Sequence, residues 1–364
     1  MTELSETIES LVHRFIEEGK QKGIQVAVWR DGEWLVDIAA GTADEANRVE
    51  VTRDTLFPVF SVTKGITATL LHVLAERYGV DYDLPIAEVW PDFARKDKQG
   101  ITIRHALTHT SGLATLPAGL TPEKATDWGC MCGVLEGMDP EHAPGRSILY
   151  HAVSFSWTVG EVIRRIGGLP FTELLDREIK VPLGISSLFI GMPPELDAPI
   201  AWLDEPGAEA GPFEDVPGAV PAGMKPLSRW MNERGARLAC MPGCNGMMSA
   251  RAIATHYAAT MPGGIRGVEL LSSERRRQAS IPFQPWEPNP GPGRVSGLGY
   301  VLDGEKGPNG DVPIYGHGGH GGSTGFVDMK YGFAFAMTRN RFNEHDCRTP
   351  IVDAVRAALG PRST

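Results

Sequence analysis

The sequence predicts an α/β part joined to an all-α part. The α/β part is an antiparallel sheet built from both chain ends with flanking helices, and the helical part is an insertion within it. Three patterns predict this. Strand-like alternation of apolar and polar residues lies near the N-terminal end, over residues 24–38, and again near the C-terminal end, over residues 299–338. Apolar residues at helical spacing dominate the interval between these regions. Amphipathic helical segments also open and close the chain. Strands at both ends that enclose helices are satisfied by one sheet shared between the termini. The expected division is residues 1–60 and 268–364 for the sheet domain and 61–267 for the helical domain, with a cleft between them.

The elements follow in order. Residues 3–19 form an amphipathic helix with Ile8, Leu11, Val12, Phe15 and Ile16 on one side. Ile24–Trp29 and Glu33–Ile38 flank Asp31-Gly32, a strong hairpin signal. A short strand over Leu56–Phe60 leads to Ser61. Ile66, Leu70, Leu71 and Leu74 then recur at helical spacing until Gly79 stops the helix. Residues 80–100 read as loop and short helix, and 101–113 as a capped helix ending at Gly112. Phe155–Ile166, Pro170–Lys180 and Ser249–Met261 are the clearest later helices. Residues 204–226 and 282–297 are rich in Pro and Gly and read as long loops, the first a surface excursion or a cleft wall. Strands are expected at Gly299–Leu302, Val312–Tyr315, Gly325–Met329 and Gly332–Thr338. The last helix is expected to start at Thr349-Pro350, as N-cap and first helical residue, and to end at Gly360.

Composition narrows the function. A chain of 364 residues with a formal net charge of −10 is suited neither to nucleic acid nor to an anionic membrane as partner. The five cysteines are odd in number and lack C-x-x-C spacing, so they read as reduced thiols of a cytoplasmic protein. Cys130-x-Cys132 has no second pair to complete a metal site. Neither a signal-peptide apolar region nor a transmembrane run is present in the sequence.

Ser61-Val-Thr-Lys64 is the most informative stretch. Ser61 sits at the mouth of a predominantly apolar helix, where free N–H groups and the helix dipole favour negative charge. Lys64 lies three residues on, on the same face, and a lysine packed among apolar groups can act as a base. The plain alternative is a serine N-cap beside a surface lysine. The second stretch is Tyr315-Gly-His-Gly-Gly-His-Gly-Gly-Ser-Thr-Gly325. It matches both G-x-G-x-x-G and G-x-S-x-G, but a strand and hairpin follow rather than a helix. That context rejects a dinucleotide site and disfavours a nucleophile elbow at Ser323, for which Asp328 and His345 would have to complete a triad. The third is Pro144–Trp157, where Tyr150 is presented from a loop at the start of a helix; its alternative is a half-buried structural tyrosine. His105 and His109, at i and i+4, lack the glutamate of H-E-x-x-H and read as structural.

Together these stretches resemble the serine β-lactamase and penicillin-binding-protein superfamily, with class C β-lactamases and family VIII carboxylesterases nearest in pattern. Leu56–Lys64, Ile101–Leu113, the Tyr150 segment, Gly246–Arg251 and Gly316–Gly319 carry the resemblance in order and spacing. It implies Ser61 as nucleophile, Lys64 as its partner and Tyr150 as the tyrosine of Tyr-x-Asn. His317-Gly318-Gly319 would replace Lys-Thr-Gly on a sheet-edge strand beside the cleft. Two positions depart from the pattern: Ala152 stands for the asparagine and His317 for the lysine. Both changes weaken the lactamase reading and strengthen the esterase reading.

The resemblance further implies a β-lactamase-like fold and acyl transfer through an acyl-serine. The first base would be Lys64 or Tyr150, the two remaining open. His317 would tune Tyr150, and the backbone N–H groups of Ser61 and His320 would form the oxyanion hole. No metal or cofactor is implied. The expected partner is a small uncharged ester. Acyl transfer, amide or D-amino-acid peptide hydrolysis and weak β-lactamase activity are alternatives within the fold, and a non-catalytic scaffold is one outside it.

Overall fold

Asp31 and Gly32 both take positive φ, 51° and 92°, the backbone of a two-residue hairpin whose twist matches its strands. The computed structural model, which describes residues 2–196, 198–208, 211, 213–287 and 295–362, accordingly pairs β1 (Gly23–Arg30) with β2 (Glu33–Asp44). β2 runs beyond Ile38 to reach β3 (Val49–Glu50). β4 is only Phe57–Pro58, shorter than expected, and pairs with β6 (Met247–Met248), which also pairs with β5 (Leu188–Phe189). The C-terminal strands are β7 (Val301–Asp303), β8 (Ile314–Gly318), β9 (Thr324–Asp328) and β10 (Phe333–Arg339). β10 lies antiparallel to β1, from Ile24 opposite Arg339 to Trp29 opposite Ala334. The main sheet is therefore shared between the two chain ends, in the order β3-β2-β1-β10-β9-β8-β7.

The outer face is covered by α1 (Glu3–Glu17), while the inner face receives α2 (Val62–Tyr78). Within the helical insertion lie α3 (Ile103–Leu107) and α4 (Phe155–Gly167). α5 (Ala250–Thr260) packs on β1, β9 and β10, so this helix belongs with the sheet as much as with the insertion. α6 (Arg348–Leu359) joins α1 outside. Ile8, Val12, Val26, Phe335 and Ile351 belong to the outer core. On the inner face Ala27, Ala334 and Ala336 keep the surface low. At Gly325 a Cβ would stand 2.3 Å from Ile253, so α5 seats almost on the backbone. One continuous apolar cluster runs from here into the insertion.

Local chemistry moved several boundaries. α3 stops at Leu107 rather than Gly112. Thr108 Oγ1 turns back onto the Arg104 carbonyl (2.8 Å), and His109 takes φ 61°, which a right-handed helix cannot contain. His105 and His109 thus share no helix face; His105 instead completes the capping box of α3, its Nδ1 accepting the Thr102 N–H at 3.1 Å. α6 begins at Arg348 because Asp346 Oδ1 accepts the N–H groups of Arg348 and Thr349 (2.9 and 3.0 Å), so Thr349 is not its N-cap. Tyr150 lies on a loop five residues before α4, not at a helix start.

Both long loops are fastened. Leu116 and Gly218 exchange two backbone hydrogen bonds of 2.9 Å; residues 209, 210 and 212 of that loop lie outside the described residues. The Trp286 and Glu287 N–H groups donate to the carbonyls of Gly145 and Arg146 (3.3 and 3.0 Å), and residues 288–294 lie outside the described residues. All five cysteines are free thiols. Among the described residues no helix is long and apolar enough to cross a membrane.

Candidate active site

Ser61 occupies the N-cap position of α2, yet its side chain caps nothing. Its backbone is helical (φ −69°, ψ −4°) rather than extended, so the capping explanation for this serine fails. The preceding Phe60 takes φ 47°, a strained value for an aromatic residue. That bend turns β4 sharply into α2. Thr63 fastens it, donating from Oγ1 to the Phe60 carbonyl and accepting the Gly246 N–H at 2.9 Å.

Lys64 is fully buried, so the surface-charge explanation fails as well. Its Nζ lies 3.4 Å from Ser61 Oγ and donates to the carbonyls of Ala152 (2.8 Å) and Gly243 (2.7 Å). Two of the three ammonium donors are thereby committed to carbonyls. The same nitrogen stands 4.9 Å from the centre of the Tyr150 ring and 5.4 Å from that of Phe155. Gly243 is itself positioned by Ser156, whose Oγ accepts its N–H at 2.9 Å. Three segments thus converge on one amine: α2, the stretch from Tyr150 to Ser156, and the loop at Gly243.

The end of β8 closes the other side. A Cβ on Gly319 would sit 2.1 Å from the Val59 carbonyl oxygen, so only glycine lets this edge approach the chain entering Ser61. His317 is buried, its ring centre 6.3 Å from that of Tyr150, and its Nδ1 donates to the Gly318 carbonyl at 2.7 Å. Gly318 and His320 are exposed. The His320 ring packs edge-on against Phe60 at 5.5 Å and Phe342 at 5.2 Å. Among the described residues the N–H groups of Ser61 and His320 donate no backbone hydrogen bond.

The structure thus brings Ser61, Lys64 and Tyr150 together, sets His317 beside Tyr150, and places Gly319 and His320 against Val59 and Phe60. Ser323 is elsewhere in its chemistry: it is buried, its Oγ accepts the Arg339 N–H at 3.2 Å, and it leads into a strand. Asp328 is held by Arg356 at 2.8 Å, so the elbow reading has no geometry to support it.

Three groups at the site carry no motif in the sequence. The carbonyls of Ala152 and Gly243 carry no side-chain signature at all. His109, read as structural, has its ring centre 4.7 Å from that of Tyr150. Its neighbour His151 is fully enclosed, and burial pushes its pKa down to about 4, so the ring is neutral at pH 7. Burial likewise pushes the Cys244 thiol up to about 11, which disfavours its thiolate.

The model of the beta-lactamase family matches residues 8–359. "Esterase/beta-lactamase LipL" of Mycobacterium tuberculosis is 34% identical over 350 residues, covering 88% of this chain and 77% of its own. A family VIII carboxylesterase of known structure superposes with a TM-score of 0.84 at 28% identity, over 98% of this chain and 97% of the other. A penicillin-binding-protein homologue from Caulobacter crescentus gives 0.82 at 28% identity with the same coverage. A match that spans the shared sheet, the helical insertion and the Ser61 corner alike leaves one conclusion: the chain belongs to the beta-lactamase family and is a serine hydrolase.

Proposed function

We propose that the chain is a carboxylesterase for small uncharged esters, working through an acyl-Ser61 intermediate. The observation that carries this reading is the placement of Ser61 Oγ 3.4 Å from a buried Lys64 held under the Tyr150 ring. Ser61 Oγ attacks the ester carbonyl, and its proton passes to the Lys64–Tyr150 pair. Because two Lys64 donors are committed to carbonyls, Lys64 serves as the fixed cation that favours a Tyr150 phenolate, and that phenolate takes the Ser61 proton and becomes the phenol. The developing oxyanion lies between the N–H groups of Ser61 and His320, which need no reorganisation to receive it. Tyr150 returns the proton to the leaving alcohol, and water then releases the acyl group by the same path reversed.

Substrate class follows from the two departures. Position 152 offers a methyl group in place of an amide side chain, so no side-chain donor or acceptor there meets a substrate amide. At position 317 an imidazole stands where the resembling family carries a lysine, so a permanently charged ammonium for a carboxylate is missing there. Both features favour uncharged esters. The free thiols support a cytoplasmic location for this activity.

A fluorophosphonate adduct mapped by mass spectrometry, together with short-chain aryl esters assayed beside a cephalosporin, tests the reading. The expected result is an adduct on Ser61 and kcat/KM at least about 100-fold higher for the esters. An adduct on another serine, or equal turnover of the cephalosporin, defeats it. Residual β-lactamase activity is the second reading, favoured by the name of the Mycobacterium tuberculosis relative, and the cephalosporin arm measures it.

A further inference from the structure

His109 lies just beyond α3 with φ 61°, a backbone that most side chains avoid. What its groups do there is specific. The His109 carbonyl accepts the Leu149 N–H at 2.9 Å, and its Nδ1 accepts the His151 N–H at 3.3 Å. Between those two anchors stands Tyr150, whose ring packs on the imidazole at 4.7 Å. One residue therefore grips the peptide on each side of Tyr150 and the ring itself. The next two residues extend the hold. The Thr110 carbonyl accepts the Gly145 N–H at 2.9 Å, and Ser111 Oγ donates to His151 Nε2 at 2.7 Å. His151 closes the loop by donating from Nδ1 to the Leu149 carbonyl at 2.7 Å. His151 is buried, so its N–H would be costly to leave without the His109 acceptor.

We infer that His109 is the positioning residue of Tyr150, fixing the height and tilt of the phenol above Lys64 so that it stays in line with Ser61. The inference rests on the reading of Tyr150 as the proton carrier. A shift of a catalytic group by about 1 Å costs up to about 100-fold in rate, so loss of the grip should be read in kcat and not in KM.

The test compares His109→Gly with His109→Asn. Both tolerate the left-handed backbone. Glycine removes acceptor and ring, whereas asparagine returns an acceptor oxygen to the place of Nδ1. His109→Ser, too short to reach His151, replaces the glycine variant if that one does not fold. The expected result for His109→Gly is kcat lowered about 10- to 100-fold with KM within about threefold. His109→Asn should recover to within about fivefold of wild type. In a Tyr150→Phe background the glycine substitution should cost less than about twofold, because its effect passes through the missing hydroxyl. With 13Cζ-labelled tyrosine, the Tyr150 signal, identified by its absence in Tyr150→Phe, should change its titration midpoint in His109→Gly and return in His109→Asn. Equal losses in folded glycine and asparagine variants overturn the inference, as does a glycine cost undiminished in the Tyr150→Phe background or an unmoved Tyr150 signal. If Tyr150→Phe itself keeps a near-normal rate, the proton-carrier reading fails, and the labelled-tyrosine spectra alone decide whether His109 holds Tyr150.

Discussion

The Ser61 corner and the β8 edge face each other and are built by opposite means. At the corner, every residue of α2 from Val62 to Leu71 is buried, the bend at Phe60 is pinned by Thr63, and Lys64 Nζ has three oxygen neighbours. At the edge, Gly318 and His320 are exposed, and the turn beyond them passes through Gly321 and Gly322 at φ 85° and 96°. The corner leaves its groups one arrangement, as close packing demands. The edge presents backbone and a changeable side chain to whatever lies beside it. On the proposed function, bond-making belongs to the packed side and selection to the open side, and each prediction below strains one of the two.

The corner should fail outright. Ser61→Ala is expected to lower turnover by about 10⁴-fold or more and to abolish acyl-enzyme formation, since loss of a nucleophile is not shared out among neighbours. Ser323→Ala, in the hairpin turn after β8, should still accept the fluorophosphonate on Ser61. Intact-mass measurement after labelling checks both, and an adduct on Ser323 would reverse the assignment. Tyr150→Phe keeps the ring over Lys64 and removes only the hydroxyl; the expected loss is about 10²–10⁴ in kcat. Lys64→Ala should be at least as severe, because it also empties a buried site lined by two carbonyls. A Tyr150→Phe rate within tenfold of wild type would give proton transfer to Lys64 alone.

Acid should strain the corner side as well. His72, two turns beyond Lys64 on α2, is buried, with Nδ1 2.6 Å from Tyr82 Oη and Nε2 3.0 Å from the Leu298 carbonyl. Burial holds its pKa at about 4. Unfolded, the ring titrates near 6.5, so between these values the unfolded chain binds a proton that the folded chain refuses. Stability is therefore complete above pH ~6.5 and declines as pH falls toward 4, by on the order of 3 kcal/mol for this residue. Urea unfolding at pH 7.5 and 4.5 measures it. His72→Gln should be less stable at pH 7.5 but show a flatter dependence. An unchanged slope in His72→Gln contradicts this account.

The same contrast explains how much was legible in the sequence. The shared sheet could be read because alternation and Asp31-Gly32 are local signals, and α2 because its apolar spacing ends at a glycine. Ser61 and Lys64 were legible because three residues on a helix guarantee one face. The hold on Tyr150 was not: it depends on His109 leaving the helix, which Thr108 decides by bonding back to Arg104. Nor could Ala152 announce itself, since it acts through a carbonyl. The start of α6 was misplaced by one capping aspartate, Asp346, against an otherwise good Thr-Pro signal.

His317 gives the gentlest test and the one most particular to this chain. Its ring is buried beside Tyr150, with Nδ1–H committed to the Gly318 carbonyl, so a neutral ring keeps its lone pair on Nε2. A lysine at this position would add a cation that stays charged through neutral pH. His317→Lys should therefore raise kcat/KM for an anionic substrate and lower it for a neutral ester, changing the preference by about tenfold, the scale of one partly screened charge. His317→Gln keeps a donor and acceptor without titrating, so the acid limb of its rate profile should move relative to wild type. The measurement is kcat/KM against pH for the three proteins on one neutral and one anionic ester. Superimposable profiles with an unchanged preference would mean that the ring merely fills the space beside Tyr150, and selection at the open side would then fall to the glycines and to His320.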